Sequence, residues 1–465
     1  MDWQVSDWIE TVNGRLIAGR GETRIEGVST DSRTLAPNQL FVALRGPNFD
    51  GHDFCAEAVA KGATALIVSR PDAAESLAQP VAAVAVEDTL TALGQLAAAY
   101  RARFSPIVAA LSGSSGKTTT KEMLRALVEP LGGLATPGNF NNRIGVPLTV
   151  FCLEPNHTMA VFELAMNEPG ELAALTEIVR PDIVALTNVG TAHLGNFNSY
   201  DDLKQAKAEL IVHAPATSRV VLNADCFGCS WIAERYCAGR EVVTFGIEEP
   251  ADFRAERITP LDPLGYRFDL ITPDGQATAT LKTFGRYNVS NALCAAAIAR
   301  LMGIDLEQLC GALESFRPLA LRSEILEIGP VTVIADCYNA NPDSVDAALR
   351  GLAEFAGERR RVFVLADMLE LGDEAVMAHR EIGQAVAEGG IALFATTGEI
   401  AQWASWEAGR MAMRAGHFET KEELARALAD ELQPGDVVLV KGSRLMALEE
   451  VIERLKELLG APKAG

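Results

Sequence analysis

Short apolar runs alternate along most of the chain with longer segments in which apolar residues recur every three to four positions. Residues 107–111 predict a buried strand, and residues 117–129 predict a helix that places Met123, Leu124 and Leu127 on one face. Further strands are predicted at residues 159–165, 183–188, 220–223, 242–245, 331–335, 362–366, 392–396 and 437–440. Because strands that alternate with helices are joined by right-handed crossovers, this pattern predicts an α/β fold with mostly parallel sheets.

Differences in composition and in hydrophobic pattern divide the chain into three predicted domains. Residues 1–82 are rich in turns, residues 83–317 carry the first strand–helix alternation, and residues 318–465 repeat it in a Rossmann-like layout. Residues 253–283 interrupt the middle domain with a predicted antiparallel excursion. A chain of 465 residues is too long for one hydrophobic core, which agrees with several domains.

The net charge of the chain excludes some classes of binding partner. The formal net charge is -21, and 22% of the residues are charged. Such an acidic protein repels nucleic-acid backbones and anionic lipid surfaces, so neither is an expected partner. No apolar stretch approaches the roughly 18 residues of a membrane helix, and the N-terminus lacks the pattern of an export signal. We therefore expect a cytoplasmic protein without integral membrane association.

Eight cysteines are too few, in a chain of this length, for a disulfide scaffold. Cys226 and Cys229 form a single C-x-x-C motif with Cys237 nearby, and no second pair completes a zinc-binding pattern. Reduced cysteines in the core or on the surface are the favoured interpretation.

The segment between the first predicted strand and helix has the composition of a phosphate-binding loop. Glycines let backbone N–H groups curl around a phosphate, the helix N-terminus favours the anion, and Lys117 reaches the terminal phosphates. Thr118 then supplies a hydroxyl for Mg²⁺. The full Walker pattern has a glycine where this chain has Leu111, so the loop is the shorter form. The predicted nucleotide-binding residues of this loop are Gly113, Ser114, Ser115, Gly116, Lys117, Thr118 and Thr119.

Residues 113–122, G-S-S-G-K-T-T-T-K-E, resemble the ATP loop of the Mur ligases, which build the peptide of peptidoglycan precursors. The resemblance extends over the whole chain, and residues 336–342, 367–372 and 441–444 are similar to the branch that adds a terminal dipeptide. It implies an N-terminal UDP-muramyl-binding domain, a central P-loop ATP-binding domain and a C-terminal ligase domain. It also implies four kinds of ligand: ATP, two Mg²⁺ ions, UDP-N-acetylmuramoyl-tripeptide and D-alanyl-D-alanine. The implied reaction joins the dipeptide to the tripeptide through an acyl phosphate. A monomer is the expected state.

Phosphoryl transfer to a carboxylate brings two anions together, so metal ions must screen them. Glu163 lies in an apolar predicted strand, and His193 lies just past another. A carboxylate inside an apolar strand is rarely left unpaired, so a metal or cation partner is expected for Glu163. From the residues alone a satisfied core residue stays open as the alternative for both, and for His193 it is equally favoured. The resemblance implies that Thr118 and Glu163 hold the first Mg²⁺ and that His193 is a ligand of the second.

Lys207 stands out only through the resemblance. In the Mur ligases the matching lysine is carbamylated by CO₂, which implies that Lys207 supports the second Mg²⁺ and acts in catalysis together with Lys117 and His193. Local spacing alone predicts a solvated lysine on a helix at this position, and a solvated lysine also at the competing position, Lys204.

Further nucleotide contacts are implied by two later segments. Asn288 and Asn291 resemble the family's adenine contacts, with Tyr287 in place of the usual histidine. Arg322 resembles an arginine that reaches the ATP phosphates, and Asp336 resembles the ribose contact.

Substrate contacts are implied in all three domains. They are Ser32 and Arg33 at the UDP pocket, Asn141 and Asn142 where ATP and the muramyl substrate meet, and Tyr338, Asn339, Asn341, Lys441, Ser443 and Arg444 in the last domain. The residues themselves leave plainer alternatives open, namely a solvated loop, an Asx-turn cluster and capped helix starts. Leu321 and Ala366 stand where the family usually has glycine.

Three other functions fit part of the pattern. A small-molecule kinase uses the same loop but has no need of Lys207. A nucleotide switch leaves the metal ligands beyond Lys117 and Thr118 unexplained. A folate-polyglutamate ligase shares the loop and the lysine, yet gives no reason for an N-terminal domain suited to UDP.

Overall fold

The computed structural model describes residues 3–75, 77, 81–190, 194–197, 199–261 and 264–460. The chain divides into two compact units. The first unit comprises Met1–Ser112, Val128–Val184 and Glu209–Ser218, and the second comprises Gly113–Leu127, Ala185–Ala208 and Arg219–Gly465.

The N-terminal region is built from short strands and three helices. In chain order they are β1 (Trp3–Gln4), β2 (Arg15–Ala18), β3 (Arg24–Ile25), β4 (Gly27–Ser29), β5 (Gln39–Val42), α1 (Cys55–Ala60), β6 (Ala65–Val68), α2 (Asp72–Glu75), β7 (Ala82–Ala85) and α3 (Thr89–Arg101). Five of these strands form a sheet in the order β2-β7-β6-β5-β4, in which only β2 runs antiparallel to its neighbour. Phe41, Leu66 and Ala83 belong to the core that this sheet shares with α1.

The middle region alternates strands and helices before it turns antiparallel. Its elements are β8 (Ile107–Ser112), α4 (Lys117–Val128), β9 (Leu134–Ala135), α5 (Gly145–Val150), β10 (Met159–Glu163), α6 (Glu171–Val179), β11 (Ile183–Leu186), α7 (Tyr200–Val212), β12 (Arg219–Asn223), α8 (Phe227–Tyr236), β13 (Val242–Gly246), β14 (Phe253–Pro260), β15 (Tyr266–Thr272), β16 (Gly275–Leu281), α9 (Tyr287–Leu301) and α10 (Leu306–Ser315). In the first unit β8, β10 and β9 pair in parallel, and the register sets Glu163 beside Leu111. In the second unit β12, β13 and β14 pair in parallel, and β14, β15 and β16 then pair antiparallel, which confirms the predicted excursion.

The C-terminal region forms a six-stranded sheet in the second unit. Its elements are β17 (Glu324–Ile328), β18 (Val331–Asp336), α11 (Pro342–Ala356), β19 (Arg361–Ala366), α12 (Ala375–Glu388), β20 (Leu393–Thr397), α13 (Gln402–Arg410), β21 (Ala415–Phe418), α14 (Lys421–Glu431), β22 (Val437–Lys441) and α15 (Glu449–Gly460). The strand order is β17-β18-β22-β19-β20-β21, and only β17 runs antiparallel to its neighbour.

Alternate residues of this sheet enter two separate cores. Phe363 and Leu365 pack with α11 and α12 residues, whereas Val362 and Val364 pack with α14 and α15 residues. A parallel sheet buried on both faces needs continuous apolar strands, which is why these strands were visible as unbroken apolar runs.

The structure confirms the α/β fold class and every strand predicted above, with ends that differ by a few residues. Among the strands of the six-stranded sheet, β17 and β21 were not predicted. Both lie at the edges of the six-stranded sheet, and most of their residues are half-exposed, so neither has a continuous apolar run. The predicted domain boundaries near residues 82 and 317 remain a prediction. Within the described part of the chain, no helix is long and apolar enough to cross a membrane.

One buried histidine gives the C-terminal region a pH dependence. His379 on α12 is fully buried, and its Nε2 accepts a hydrogen bond of 3.0 Å from the Met368 N–H. Its Nδ1 must therefore carry the proton, which it donates to the Ala375 carbonyl oxygen at 2.7 Å. Burial lowers the pKa of His379 below its usual value because the charged form is poorly solvated.

We expect the free energy of unfolding to fall as the pH drops from 7.5 to 5.5, because His379 binds a proton at a higher pH in the unfolded chain than in the folded protein. Between the pKa of the unfolded histidine and the lower pKa of the folded one, each pH unit costs about 1.4 kcal/mol. His379→Gln should show a smaller change of thermal midpoint over this range than the parent, measured by calorimetry. His213→Gln, which alters a side chain that is 37% exposed, should keep the parent's change. Equal changes in the parent and His379→Gln would contradict the assignment.

Candidate active site

The loop after β8 adopts a backbone that requires its two glycines. Gly113 and Gly116 have φ angles of +150° and +79°. A Cβ atom at Gly113 would overlap the Thr187 hydroxyl, and one at Gly116 would overlap the Asn291 side-chain oxygen. The loop is therefore packed closely against two other segments of the second unit, and it has no room for side chains at these positions.

Residues 187–190 hold the loop through side-chain hydrogen bonds. The Asn188 Oδ1 atom accepts from the Ser114 and Ser115 N–H groups, both at 2.9 Å, and its Nδ2 donates to Ser115 Oγ at 2.5 Å. The Thr187 hydroxyl donates to the Ser115 carbonyl oxygen at 2.5 Å. Ser114 Oγ accepts from the Gly190 N–H at 2.9 Å. These contacts fix the shape of the loop. Neither Thr187 nor Asn188 was predicted as a site residue.

Two lysine amines converge on one carbonyl oxygen of the loop. Lys117 Nζ donates to the Gly113 oxygen at 2.5 Å, and Lys207 Nζ donates to the same atom at 3.3 Å. Lys207 on α7 is only 1% exposed. Burial and the neighbouring Lys117 ammonium lower the pKa of Lys207 well below its usual range. The structure thus brings together two of the predicted catalytic residues.

The expectation that Lys204 and, from spacing alone, Lys207 are solvated is wrong for both. Lys204 is 3% exposed, pairs with Asp201 at 2.7 Å and lies 4.2 Å from the ring centre of Trp231. It lies on α7 one turn before Lys207, where helix neighbours three residues apart share a face. Tertiary packing against α8 covers it, which the local sequence does not reveal.

The predicted adenine contacts lie against the loop. Asn291 on α9 touches Gly116, and its Nδ2 donates to Asn288 Oδ1 at 2.8 Å. Asn288 in turn donates to the Phe284 carbonyl oxygen at 2.8 Å. Asn288 therefore orients Asn291. The Tyr287 hydroxyl, in the place of the expected histidine, is hydrogen-bonded to Ser323 at 2.7 Å.

A charged cluster gathers at the carboxyl ends of β18 and β22. The strand register places Asp336 beside Lys441, and the Lys441 Nζ atom donates to Asp336 Oδ2 at 2.6 Å. It also donates to the Asn339 carbonyl oxygen at 3.2 Å. The Arg322 guanidinium lies 3.9 Å from the ring centre of Tyr338. Five predicted contact residues thus come together, as expected for ligand sites at strand ends.

The conformation of the chain before this cluster explains one departure from the family pattern. Leu321 has φ +63° and the nearby Ser323 has φ +59°, in the left-handed region that favours glycine. The Leu321 carbonyl oxygen accepts from the Tyr338 N–H at 3.1 Å, and its N–H donates to Glu324 at 3.2 Å. These two hydrogen bonds hold a leucine in a conformation for which glycine is better suited.

Other predicted substrate residues of the second unit have structural partners. The Asn341 side chain caps α11 by accepting from the Ser344 N–H at 2.9 Å, which matches the capped-helix alternative. Ser443 Oγ accepts from the Leu369 N–H at 2.9 Å, and Arg444 pairs with Glu449.

Asp367 opens the segment 367–372 and also serves as a cap. Its carboxylate accepts from the N–H groups of residues 399, 400 and 401 at 3.0, 3.0 and 2.7 Å. Three charge-assisted hydrogen bonds leave little of this carboxylate for a ligand.

In the first unit, Glu163 is 1% exposed and accepts from Asn141 Nδ2 at 2.7 Å. Asn142 accepts from the N–H groups of residues 144 and 145 at 3.1 and 2.9 Å, which is the Asx-turn alternative.

The two residues predicted at the UDP pocket differ in exposure. Arg33 is 83% exposed and pairs with Asp31 at 2.7 Å. Ser32 is buried, and its carbonyl oxygen accepts from Lys61 at 2.9 Å.

The donor set suits Mg²⁺ only in part. Among the described residues, no three His, Cys, Asp or Glu side chains gather as a metal-binding group, and His193 lies outside the described residues. Thr118 and Glu163 offer the hard oxygen donors that Mg²⁺ prefers. An amine at Lys207 is a poor Mg²⁺ ligand, whereas a carbamate would supply an anionic oxygen. Mg²⁺ commonly takes few protein ligands and completes its shell with phosphates and water, so the Thr118 hydroxyl and the Glu163 carboxylate are each a suitable type of donor.

Family models match three stretches of the chain. They are described as "Mur ligase family, catalytic domain" at residues 24–101, "Mur ligase middle domain" at residues 111–299 and "Mur ligase, glutamate ligase domain" at residues 321–444.

Curated relatives match nearly the full length. The chain is 36% identical over 459 residues to the UDP-N-acetylmuramoyl-tripeptide–D-alanyl-D-alanine ligase of Escherichia coli strain K12, covering 97% of this chain and 98% of that protein. It is 32% identical to the ligase of the same name from Bacillus subtilis strain 168, with 97% and 98% covered.

Solved structures agree with these matches. A MurF crystal structure from Acinetobacter baumannii superposes with a TM-score of 0.90 at 33% identity, covering 98% of this chain and 99% of that chain. A MurF ligase from Thermotoga maritima, in complex with ADP, superposes with a TM-score of 0.83 at 27% identity, covering 93% and 98%.

The close packing of Gly116 makes a specific prediction. Gly116→Ala should lower ATP affinity on the order of tenfold, because the new methyl group displaces Asn291 and breaks its bond to Asn288. Gly239→Ala is the matched control, since Gly239 has the same φ of +79° but no atom near the position of its Cβ. Both variants carry a left-handed alanine, at a cost of about 1 kcal/mol, so only the steric contact differs. Titration calorimetry with ATP measures the effect, and equal affinities for the two variants would show that the contact is unimportant.

Proposed function

The chain belongs to the Mur ligase family, and we propose that it joins D-alanyl-D-alanine to UDP-N-acetylmuramoyl-tripeptide at the expense of ATP, in peptidoglycan precursor synthesis. The relatives that carry this name match the chain over nearly its whole length. The observation that supports the chemistry is the convergence of Lys117 and the buried Lys207 on the Gly113 carbonyl oxygen, inside a glycine loop.

The first step activates the tripeptide. Its terminal carboxylate attacks the γ-phosphorus of ATP, ADP leaves, and an acyl phosphate forms. Lys117 leaves the Gly113 oxygen and donates to the transferred phosphoryl group, whose negative charge it stabilises. Asn288 and Asn291 orient the adenine end, while Arg322 and Asp336 contact the phosphates and the ribose.

The second step forms the peptide bond. The unprotonated amine of D-alanyl-D-alanine attacks the acyl carbon, a tetrahedral intermediate collapses, and phosphate leaves. Positioning of the two reactants provides most of the acceleration, as is usual when the leaving group is already good. Tyr338, Asn339, Asn341, Lys441, Ser443 and Arg444 are the proposed dipeptide contacts. Ser32, Arg33, Asn141 and Asn142 are the proposed muramyl substrate contacts.

Two Mg²⁺ ions are proposed to accompany ATP. Thr118 and Glu163 would hold the first, and His193 and a carbamylated Lys207 would hold the second. When bound, the ions neutralise the phosphate charge so that the carboxylate can approach.

The state of the Lys207 amine supports the proposed carbamate. Only an unprotonated amine attacks CO₂, and the reaction replaces a cation by an anion with release of a proton. Complete burial and the nearby Lys117 ammonium both disfavour the protonated form of Lys207. The same Lys117 ammonium then attracts the carbamate that forms.

The proposed setting is a monomeric, cytoplasmic enzyme whose N-terminal, central and C-terminal domains span residues 1–82, 83–317 and 318–465. A small-molecule kinase remains the alternative that shares most of the site.

Phosphate release by the purified protein distinguishes these functions. With ATP, Mg²⁺, UDP-N-acetylmuramoyl-tripeptide and D-alanyl-D-alanine present, we expect steady release of phosphate and formation of the pentapeptide product. Omission of any one component should reduce phosphate release to background. Full turnover without the dipeptide would reject the ligase function, and a phosphorylated product that accumulates would favour the kinase.

The carbamate predicts rescue by a small anion. Lys207→Ala should be nearly inactive and should regain part of its activity with acetate, because the anion can occupy the space that the carbamate leaves. Lys207→Arg should not respond to acetate, since a permanent cation then occupies that space. The measurement is phosphate release against acetate concentration, with thermal unfolding to check that each variant is folded. Full activity of Lys207→Ala without an added anion would reject the carbamate.

A further inference from the structure

The C-x-x-C motif has a defined geometry that the proposed ligase reaction does not use. Helix α8 begins at Phe227, with Cys226 as its N-cap residue and Cys229 in its first turn. Cys226 is half-buried, whereas Cys229 is completely buried. Cys226 is therefore the more accessible residue of the pair.

Hydrogen-bond donors surround the exposed member of the pair. The Val189 N–H donates to the Cys226 sulfur at 3.2 Å, the Cys226 thiol lies 3.8 Å from the Val189 carbonyl oxygen, and the Cys229 thiol lies 4.0 Å from the Leu186 carbonyl oxygen. Interaction with the neighbouring Cys229 thiol, followed by the N–H groups of Val189 and of the first turn of α8, lowers the pKa of Cys226 against the opposing effect of burial. The pKa of Cys229 is raised by the neighbouring Cys226 and by burial.

The other cysteines lack this arrangement. All eight cysteines of the chain lie in its described part, and burial raises the pKa of each of the remaining six: Cys55, Cys152, Cys237, Cys294, Cys310 and Cys337. Even Cys152, which is exposed, has among the described residues no thiol partner and no N–H donor at its sulfur. Exposure alone therefore does not distinguish Cys226, but its partner and its donors do.

We propose that Cys226 and Cys229 form an oxidation site, at which a hydroperoxide converts the dithiol into an intramolecular disulfide. The Cys226 thiolate attacks the peroxide, the O–O bond breaks, and the alkoxide leaves and takes up a proton, so that Cys226 becomes a sulfenic acid. The Cys229 thiol then attacks this sulfur, the S–S bond forms, and hydroxide leaves with the thiol proton as water. The two sulfurs together lose two electrons, and the peroxide is reduced to an alcohol and water.

Disulfide formation brings the two sulfurs at the start of α8 into bonding distance. Cys226 is the N-cap residue, with an extended backbone at φ -109° and ψ 111°, and Cys229 follows it in the first turn. A disulfide needs Cβ atoms about 3.5–4.5 Å apart, so this turn is the part of the helix that adjusts when the bond forms. Gly228 lies directly against Val189, so this turn cannot move without affecting its neighbour.

Val189 connects this site to the phosphate loop. It follows Asn188 and precedes Gly190, which bind Ser114 and Ser115. Its carbonyl oxygen accepts from the Tyr200 hydroxyl at 2.5 Å. A disulfide sulfur carries no negative charge, so the Val189 N–H loses its strongest acceptor. If the loop binds ATP, which rests on the proposed function, oxidation loosens the segment that shapes the loop and weakens nucleotide binding.

Peptide mapping tests the oxidation site. The protein is treated with hydrogen peroxide, its free thiols are alkylated, and the peptides are analysed by mass spectrometry. We expect a disulfide between Cys226 and Cys229 that dithiothreitol reverses, while Cys152 and Cys310 are still alkylated. Cys229→Ser should stop at the sulfenic acid, which dimedone labels at Cys226. Cys226→Ser should leave Cys229 as a thiol. Oxidation of Cys152 before Cys226, or no dimedone adduct in Cys229→Ser, would overturn the proposal.

Calorimetric titration with ATP tests the connection. The oxidised parent should bind ATP at least severalfold more weakly than the reduced parent, and dithiothreitol should restore the affinity. Cys226→Ser should bind ATP equally before and after peroxide treatment. An unchanged affinity in a fully oxidised parent would overturn the connection through Val189. Absence of ATP binding in the reduced parent would count against the proposed function, and the peptide map would still decide the oxidation site.

Discussion

The buried amine of Lys207 is the constraint on which the organisation of the loop depends. A lysine ammonium without an anion is costly in a dry interior, and among the described residues the groups recorded beside this amine are a neutral carbonyl and a second lysine. The Gly113 carbonyl oxygen can accept from both amines, but it contributes no compensating charge. The pair is stable if Lys207 is neutral, and it becomes attractive if Lys207 acquires a negative group. Burial and reactivity therefore have the same cause.

The position of that carbonyl depends in turn on the backbone of the loop. Gly113 and Gly116 both have positive φ angles, which glycine adopts readily because it has no Cβ. The Thr187 hydroxyl lies where a Cβ of residue 113 would be, and the Asn291 side-chain oxygen lies where a Cβ of residue 116 would be. The side chains of Thr187, Asn188 and Asn291 then complete the packing. A phosphate-binding loop is often described by its own sequence, but in this protein its shape is held largely by residues more than 70 positions away.

The sequence predicted the fold where burial leaves a continuous trace. Strands of a parallel sheet are covered on both faces, so β18, β19 and β22 appear as apolar runs, whereas the edge strands β17 and β21 do not. The glycine loop was predicted for a similar reason, since its chemistry lies within seven consecutive residues. Lys204 and Lys207 were misjudged because a lysine on a helix is buried only by what packs over it. Asn188 was missed because its partners are distant in the chain, and an asparagine after a strand has many other uses.

Residues 188–190 contact both the phosphate loop and the Cys226 sulfur. Asn188 uses its side chain to shape the loop, while Val189 uses its backbone N–H to meet the Cys226 sulfur and its carbonyl oxygen to meet Tyr200. These contacts involve adjacent residues, so a displacement at the thiol reaches the loop within one peptide unit. Coupling between sites requires an element with two arrangements that both sites influence. In the proposed oxidation site the first turn of α8 would supply the two arrangements, one with a thiolate acceptor and one with a disulfide, and residues 188–190 are the element that both sites contact.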